Sequence, residues 1–219
     1  GVAGELSSGV IRIFSTQRAF AALKANGSVV TWGPANYGGD SSAVADDLSN
    51  GVTQVFSTNN AFAALKQDGR VVTWGTSGGN SSAVAGLIAA DVTQIASTSS
   101  AFAALKEDGS VVVWGLASRG GFIPRELTNE LTSGVTRLFA TDGAFAALKQ
   151  DGRVVTWGRA ADGGESSAVA QDLTANVVRI FSNSSVFAAL KKDGSVVTWG
   201  KPANGGDSSA AASNLSRNV

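Results

Sequence analysis

The chain has 219 residues and sets seventeen Lys and Arg against seventeen Asp and Glu, so it carries no net field to draw in nucleic acid or an anionic membrane, and no local basic patch replaces one. Cysteine and histidine are both absent, which removes disulfides, thiol nucleophiles and thiolate metal sites, and with them the commonest general base near neutral pH and the commonest metal ligand. Hydrophobic residues make up 43% of the chain, a proportion that fits a folded core and not disorder, and no apolar run approaches the roughly 20 residues a membrane span needs.

Residues 2 to 10, "VAGELSSGV", match the phase of residues near 44 to 52, so the chain begins inside a connector. No charged-then-apolar leader precedes it and methionine is absent even at residue 1, which points to a segment of a longer polypeptide or a processed product. A β-branched and aromatic run follows, "VIRIFS", repeated as "VTQVFST" at 52 to 58, and such a run fits a pleated, packed surface better than a helix. Next comes "AFAALK", whose alanines alone favour a helix. It runs directly into "QDG" or an equivalent and then "RVVTWG", and Asp-Gly between apolar runs predicts a hairpin, because glycine takes the positive φ the turn demands.

After each Trp-Gly stands a glycine-rich turn such as "NYGGD" or "ADGGE", then Ser-Ser-Ala and a short apolar stretch. Asp40 or Ser41 and their counterparts are N-cap candidates for a helix of about two turns over "SAVADDL". Gly51, Asp91, Gly134, Asn176 and Asn218 fall at its far end, and these residue types most readily take the left-handed conformation that stops a helix. The third connector departs from the others: "GGFIPRELTNELTSG" places Pro124 where the first helical position is expected. The second post-Trp turn, "GTSGG", is two residues shorter than its counterparts.

Trp32, Trp74, Trp114, Trp157 and Trp199 are 42, 40, 43 and 42 residues apart, a spacing that marks a repeat architecture. Phe62 and Leu65, three apart, point to opposite faces of a strand, as do Val71 and Val72. Both faces are apolar, so each small sheet must be covered on two sides by neighbours. The expected fold is therefore all-β: a β-propeller of five blades with short helical connectors, in one repeat domain whose units span approximately 10–51, 52–91, 92–134, 135–176 and 177–219. A closed five-bladed ring is favoured, with an open arc or solenoid of the same units as the alternative.

"FAALKQDGRVVTWG" resembles the repeat of the regulator of chromosome condensation family of β-propellers, with its apolar strand ending in Leu, Asp-Gly turn, Val-containing strand and Trp-Gly. With "SSAVADDLSNGVTQVFS" it is also similar to the bacterial beta-lactamase inhibitory protein II, a propeller of the same kind. The resemblance covers nearly the whole chain. It implies blade design but transfers neither nucleotide exchange nor β-lactamase inhibition. The Gly-Gly-x-His of that family is replaced here by "STNNAF" or "ATDGAF" and its Gly-Gln-Leu-Gly ending by "GGDSSAV", and its rings commonly have seven blades.

Five similar units offer no unlike acid, base and nucleophile converging on one point, so the chain is not expected to be an enzyme, and no catalytic residue, cofactor or metal is assigned. The tryptophans are expected in the core, and Asp40, Glu165 and Asp207 as helix caps, not calcium ligands. Lys24, Lys66, Lys106, Lys149 and Lys191 are expected in solvent. Binding is assigned to loops that differ between units. These are Tyr37, Arg119, Phe122 and Ile123 after the tryptophans, and Arg18, Asn59 and Asn60 with Gln17, Ser99-Ser100 and Asp142-Gly143 between the first two strands.

The expected function is a non-catalytic protein-interaction or adhesion module of a larger bacterial repeat protein, extracellular or at the cell surface, binding through one propeller edge. A lectin-like glycan binder and a purely structural spacer are the alternatives. The expected partner is a protein or a glycan, with self-association as a further option.

Overall fold

The computed structural model describes residues 2–209. Five antiparallel sheets of three strands follow one another along the chain. The first blade holds β1 (Val10–Ser15), β2 (Phe20–Lys24) and β3 (Val29–Trp32). The second holds β4 (Val52–Ser57), β5 (Ala61–Lys66) and β6 (Val71–Gly75). The third holds β7 (Val92–Ser97), β8 (Ala101–Lys106) and β9 (Val111–Gly115). The fourth holds β10 (Val135–Ala140), β11 (Ala144–Lys149) and β12 (Val154–Gly158). The fifth holds β13 (Val177–Ser182), β14 (Val186–Lys191) and β15 (Val196–Gly200).

The alanine-rich segment is the middle strand of every blade, because its hydrogen-bonding partners lie on both sides in the sheet and outweigh its helical preference. At the hairpin, Gly69 N–H donates to Lys66 O at 3.0 Å, Lys66 N–H donates to Arg70 O at 2.9 Å, and Gly69 has φ +78°. A Cβ there would also lie 2.6 Å from Asp91 N, so the turn needs glycine for its conformation and for the close approach of the connector.

Strand parity places the faces as expected. On one side of the second blade, Val52, Val55, Phe62, Ala64, Val72 and Trp74 pack against Ala19, Ala21, Leu23 and Val29 of the first. On the other, Ala61, Ala63, Leu65 and Val71 pack against the third. Calling these the leading and trailing faces, each junction joins the aromatic leading face of one blade to the small-residue trailing face of the blade before. Within each blade the Phe and Trp of the leading face stack, with ring centroids 5.2 to 5.3 Å apart.

First strands of successive blades touch one another and line the axis. Four such cores join five blades. No fifth core joins the last blade to the first among the described residues, so the blades follow an open arc. The aromatic leading face of the first blade shows this directly: Ile13 is 61% exposed, whereas its counterparts Val55, Ile95, Leu138 and Ile180 are 2 to 3% exposed.

Among the described residues the connectors between blades are 3-10 turns and not two-turn α-helices. Ser42–Val44 and Ser82–Val84 are single turns, and only Ser167–Leu173 reaches seven residues. A segment this short does not recover the cost of nucleating an α-helix. What fixes it is a buried anchor, Leu48, Ile88, Leu131 or Leu173, in the adjacent core. Pro124 stands at the cap before Arg125–Leu127, one place earlier than expected. The stop residues have the expected left-handed backbone at Gly51, Asp91, Gly134 and Asn176, with φ between 64° and 75°. Asn218 lies outside the described residues.

The lysines correct an expectation. Lys66 and Lys149 are only 9% exposed, and their Nζ donate to Asp47 O at 2.6 Å and Glu130 O at 2.5 Å. The carbonyls ending a helical turn have no partner within it, and the lysine from the neighbouring hairpin supplies one.

Candidate functional site

The carboxylates after the double glycines act on their own turns. Asp40 accepts Ser42 N–H at 2.9 Å, Glu165 accepts Ser167 N–H at 2.7 Å and Asp207 accepts Ser209 N–H at 2.9 Å. The backbone N–H, and after it the side chain of the same serine, favours the charged form and holds each carboxyl below its ordinary pKa. Ser41, the other cap candidate, turns away to share a hydrogen bond with Thr31 Oγ1.

The loop between the first two strands of each blade lies at the axis, and these loops are stitched together through the backbone. Gln17 N–H donates to Asn59 O at 3.0 Å, Asn59 N–H to Ser99 O at 2.9 Å, Ser99 N–H to Asp142 O at 2.9 Å and Asp142 N–H to Ser184 O at 2.9 Å. One bond thus links each blade to the next. In the first four blades a hydroxyl at the preceding position ties the loop to the post-Trp turn of its own blade. Thr16 Oγ1 donates to Tyr37 O at 2.9 Å, Thr58 to Ser77 O at 3.2 Å, Thr98 to Arg119 O at 2.9 Å and Thr141 to Asp162 O at 2.8 Å. In the fifth blade Asn183 Nδ2 takes the same role toward Asn204 O at 3.2 Å.

These two sets of bonds bring the axial loops and the post-Trp turns to one end of the arc at fixed spacing. The backbone is the same five times over, but the side chains are not. The turn position carries Tyr37, Ser77, Arg119, Asp162 and Asn204 in succession, and the axial position Gln17, Asn59, Ser99, Asp142 and Ser184. An axial cavity of about 350 Å³ is lined by Thr16, Gln17, Asn59, Ser99 and Asp142 among others. Beside it, a recess of about 210 Å³ is lined by Arg119, Arg159, Asp162, Ser184, Lys201 and Asn204 among others.

Of the residues singled out in the sequence, Arg18 and Tyr37 meet, with the guanidinium carbon 5.1 Å from the ring centroid. Asn59 and Asn60 are half-buried beside the axial cavity, and Asn60 O accepts Thr76 N–H at 3.0 Å. Arg119 reaches into the next blade, its Nη1 3.5 Å from Asp162 Oδ2, and Arg159 Nη1 stands at the same distance from that oxygen. Ile123 packs into the core between the third and fourth blades beside Leu127, and Phe122 next to it is 61% exposed at the start of the outer connector. The axial loops and post-Trp turns therefore bring Arg18, Tyr37, Asn59, Asn60 and Arg119 to one end of the arc and leave this pair aside.

Asp162, buried between two arginines, was not among the sequence candidates. A Cβ at position 143 would collide with its carboxylate, so the departure of "ATDGAF" from the other loops, with glycine second, was the available signal.

No family model matches the chain, and no curated protein matches it. Solved structures do. Prp20p from Saccharomyces cerevisiae is similar with a TM-score of 0.59 at 19% identity, over 91% of this chain and 58% of that one. The ectodomain of the receptor kinase CR4 from Physcomitrella patens gives 0.56 at 19% identity, over 87% and 52%. Human WBSCR16 gives 0.53 at 19% identity, over 87% and 61%. At such identity the likeness is one of fold, and the blades are those of a β-propeller. The chain spans between half and two thirds of the length of these proteins. Prp20p is described with binding to Gsp1p and histones, and Prp20 also with Kap60 bound.

Proposed function

We propose that the protein is a non-catalytic protein-binding module whose recognition surface is the end of the arc where axial loops and post-Trp turns meet. The observation that carries this reading is the contrast at equivalent positions. One hydrogen-bonded backbone, repeated five times, presents Tyr37, Ser77, Arg119, Asp162 and Asn204. A scaffold that fixes spacing while side chains vary suits recognition of one extended, chemically mixed surface. The protein partners of Prp20 favour the same use of this fold.

A glycan binder with one pocket per blade would need a recurring aromatic and amide. Tyr37 has no aromatic counterpart at 77, 119, 162 or 204, which favours a protein over a sugar. The finer reading, an adhesion module of a bacterial extracellular repeat protein, draws on the lack of cysteine and histidine and the balanced charge.

The test replaces Tyr37, Arg119 and Asp162 together with alanine and compares capture of protein partners with that by an outer-hairpin control, Glu107→Ala. Partners that bind wild type and the control, and are lost on the triple variant, support the reading. Partners that bind all three equally place recognition elsewhere.

A further inference from the structure

Every junction among the described residues is made of the same two surfaces, and among these residues one copy of each is left over. On the leading face of the first blade Phe20 is 43% exposed, whereas Phe62, Phe102, Phe145 and Phe187 are fully buried. Ile13 beside it is the exposed counterpart already noted. On the trailing face of the fifth blade, Phe181 is 52% exposed, where Phe14, Phe56 and Phe139 pack into the adjoining core.

The post-Trp glycines repeat the pattern. The Cα of Gly38, Gly78, Gly120 and Gly163 each faces the Phe ring of the following blade so closely that an added Cβ would lie within 3.2 Å of it. Gly205, at the same place in the fifth blade, has nothing within 4 Å among the described residues. The ring it lacks is the one the first blade leaves exposed.

The hydrogen bonds end in matching halves too. The axial series stops at Ser184, whose N–H has no backbone partner among the described residues, and begins at Gln17, whose carbonyl has none. The indole series, Trp74 to Gly38 O, Trp157 to Gly120 O and Trp199 to Gly163 O, likewise leaves Gly205 O as the next acceptor and Trp32 as the next donor.

We propose that these two faces bind each other between copies of this chain: the trailing face of the fifth blade of one molecule takes the leading face of the first blade of another. Phe20 of the second copy seats over Gly205 of the first, Trp32 Nε1–H donates to Gly205 O, and Ser184 N–H donates to Gln17 O. The contact is heterologous, so it grows head to tail and either closes into a ring of copies or continues as a chain. A second copy is the fitting occupant because its first blade carries the leading-face residues in the register that each internal trailing face already accepts. Position for position, the contact continues an interface that the molecule makes four times within itself.

The test is sedimentation velocity on the full chain with two single variants, Ile13→Glu and Phe181→Glu. Both positions are exposed in one molecule, and melting midpoints equal to that of wild type at a dilution where the chains are apart verify that each variant folds. Wild type is expected to rise with concentration to at least twice the mass of one chain. Each variant alone is expected to sediment as one chain, because it lacks one of the two faces. The two mixed are expected to form a heterodimer and stop there, since the intact trailing face of Ile13→Glu meets the intact leading face of Phe181→Glu.

A wild type that stays single at all concentrations overturns the proposal. So does association in which one variant alone still pairs, which shows like faces meeting, or in which neither variant has an effect, which places the contact elsewhere.

Discussion

Trp114 differs from its counterparts in one atom's surroundings. Trp74, Trp157 and Trp199 donate their indole N–H to a carbonyl of the preceding blade at 2.9 to 3.1 Å, whereas Trp114 Nε1 is buried without a partner among the described residues. The cause lies in the blade before it, whose post-Trp turn is two residues shorter and does not present its glycine carbonyl to the indole. Replacing Trp157 by Phe removes a made hydrogen bond and strands Gly120 O, whereas Trp114→Phe removes a donor that was already unpaired. A net hydrogen bond is worth about 1 kcal/mol, so Trp157→Phe is expected to destabilise by about that much more than Trp114→Phe. Urea midpoints of the two variants check it, and equal losses would place a partner on Trp114. The shortened turn was visible in the sequence, but its effect on a residue some forty positions later was not, because it acts across a junction and not along the chain.

At the scale of the element, the hairpin shows what local chemistry decides. Asp108 and Asp193 each accept the hydroxyl and the backbone N–H of the serine two residues on. Asp151 accepts the N–H of Arg153 and then its guanidinium. All three carboxyls are held below their ordinary value of 3.8 by these donors in that order. The folded value is thus below the unfolded one, so the turns contribute their full share of stability above 3.8 and lose it as pH falls through the lowered folded values. Changing the three to asparagine, which still accepts the N–H but does not titrate there, is expected to flatten the fall of the melting midpoint in acid. An unchanged acid slope would assign it to the connector carboxylates Asp40, Glu165 and Asp207. Hairpins, strand parity and the left-handed stops at Gly51, Asp91, Gly134 and Asn176 were legible in the sequence because each depends on residues within a few positions. The connectors read as longer helices than they are, and Lys66 as solvated, because a Leu48 anchor and a lysine to carbonyl bond join distant segments. For the same reason the sequence showed which loops vary but not that Thr16, Thr58, Thr98 and Thr141 clamp them to the turns.

For the whole molecule, the blades are near copies inside and unequal in their surroundings. The middle strands β2, β8 and β14 are each hydrogen-bonded on both sides within their own sheet, so the sheet protects their amides alike. What differs is cover: among the described residues β8 lies between two neighbouring blades, whereas β2 and β14 each have a neighbouring blade on one side. When stability is a sum of unit terms and nearest-neighbour terms, an end blade opens by losing one junction and a central blade must lose two. Native-state hydrogen exchange, measured dilute enough to keep chains apart, is therefore expected to be slowest at Ala103 and Ala104 of β8 and faster at Ala21 and Ala22 of β2 and at Ala188 and Ala189 of β14. Equal protection throughout would mean that the arc unfolds as one unit and that the junctions are too strong to fray. Raising the concentration separates the terms further, because a head-to-tail contact gives each end blade the junction it lacks. Protection at β2 and β14 should then climb toward that at β8 in wild type, and at β14 but not β2 in a mixture where only Ile13→Glu is observed.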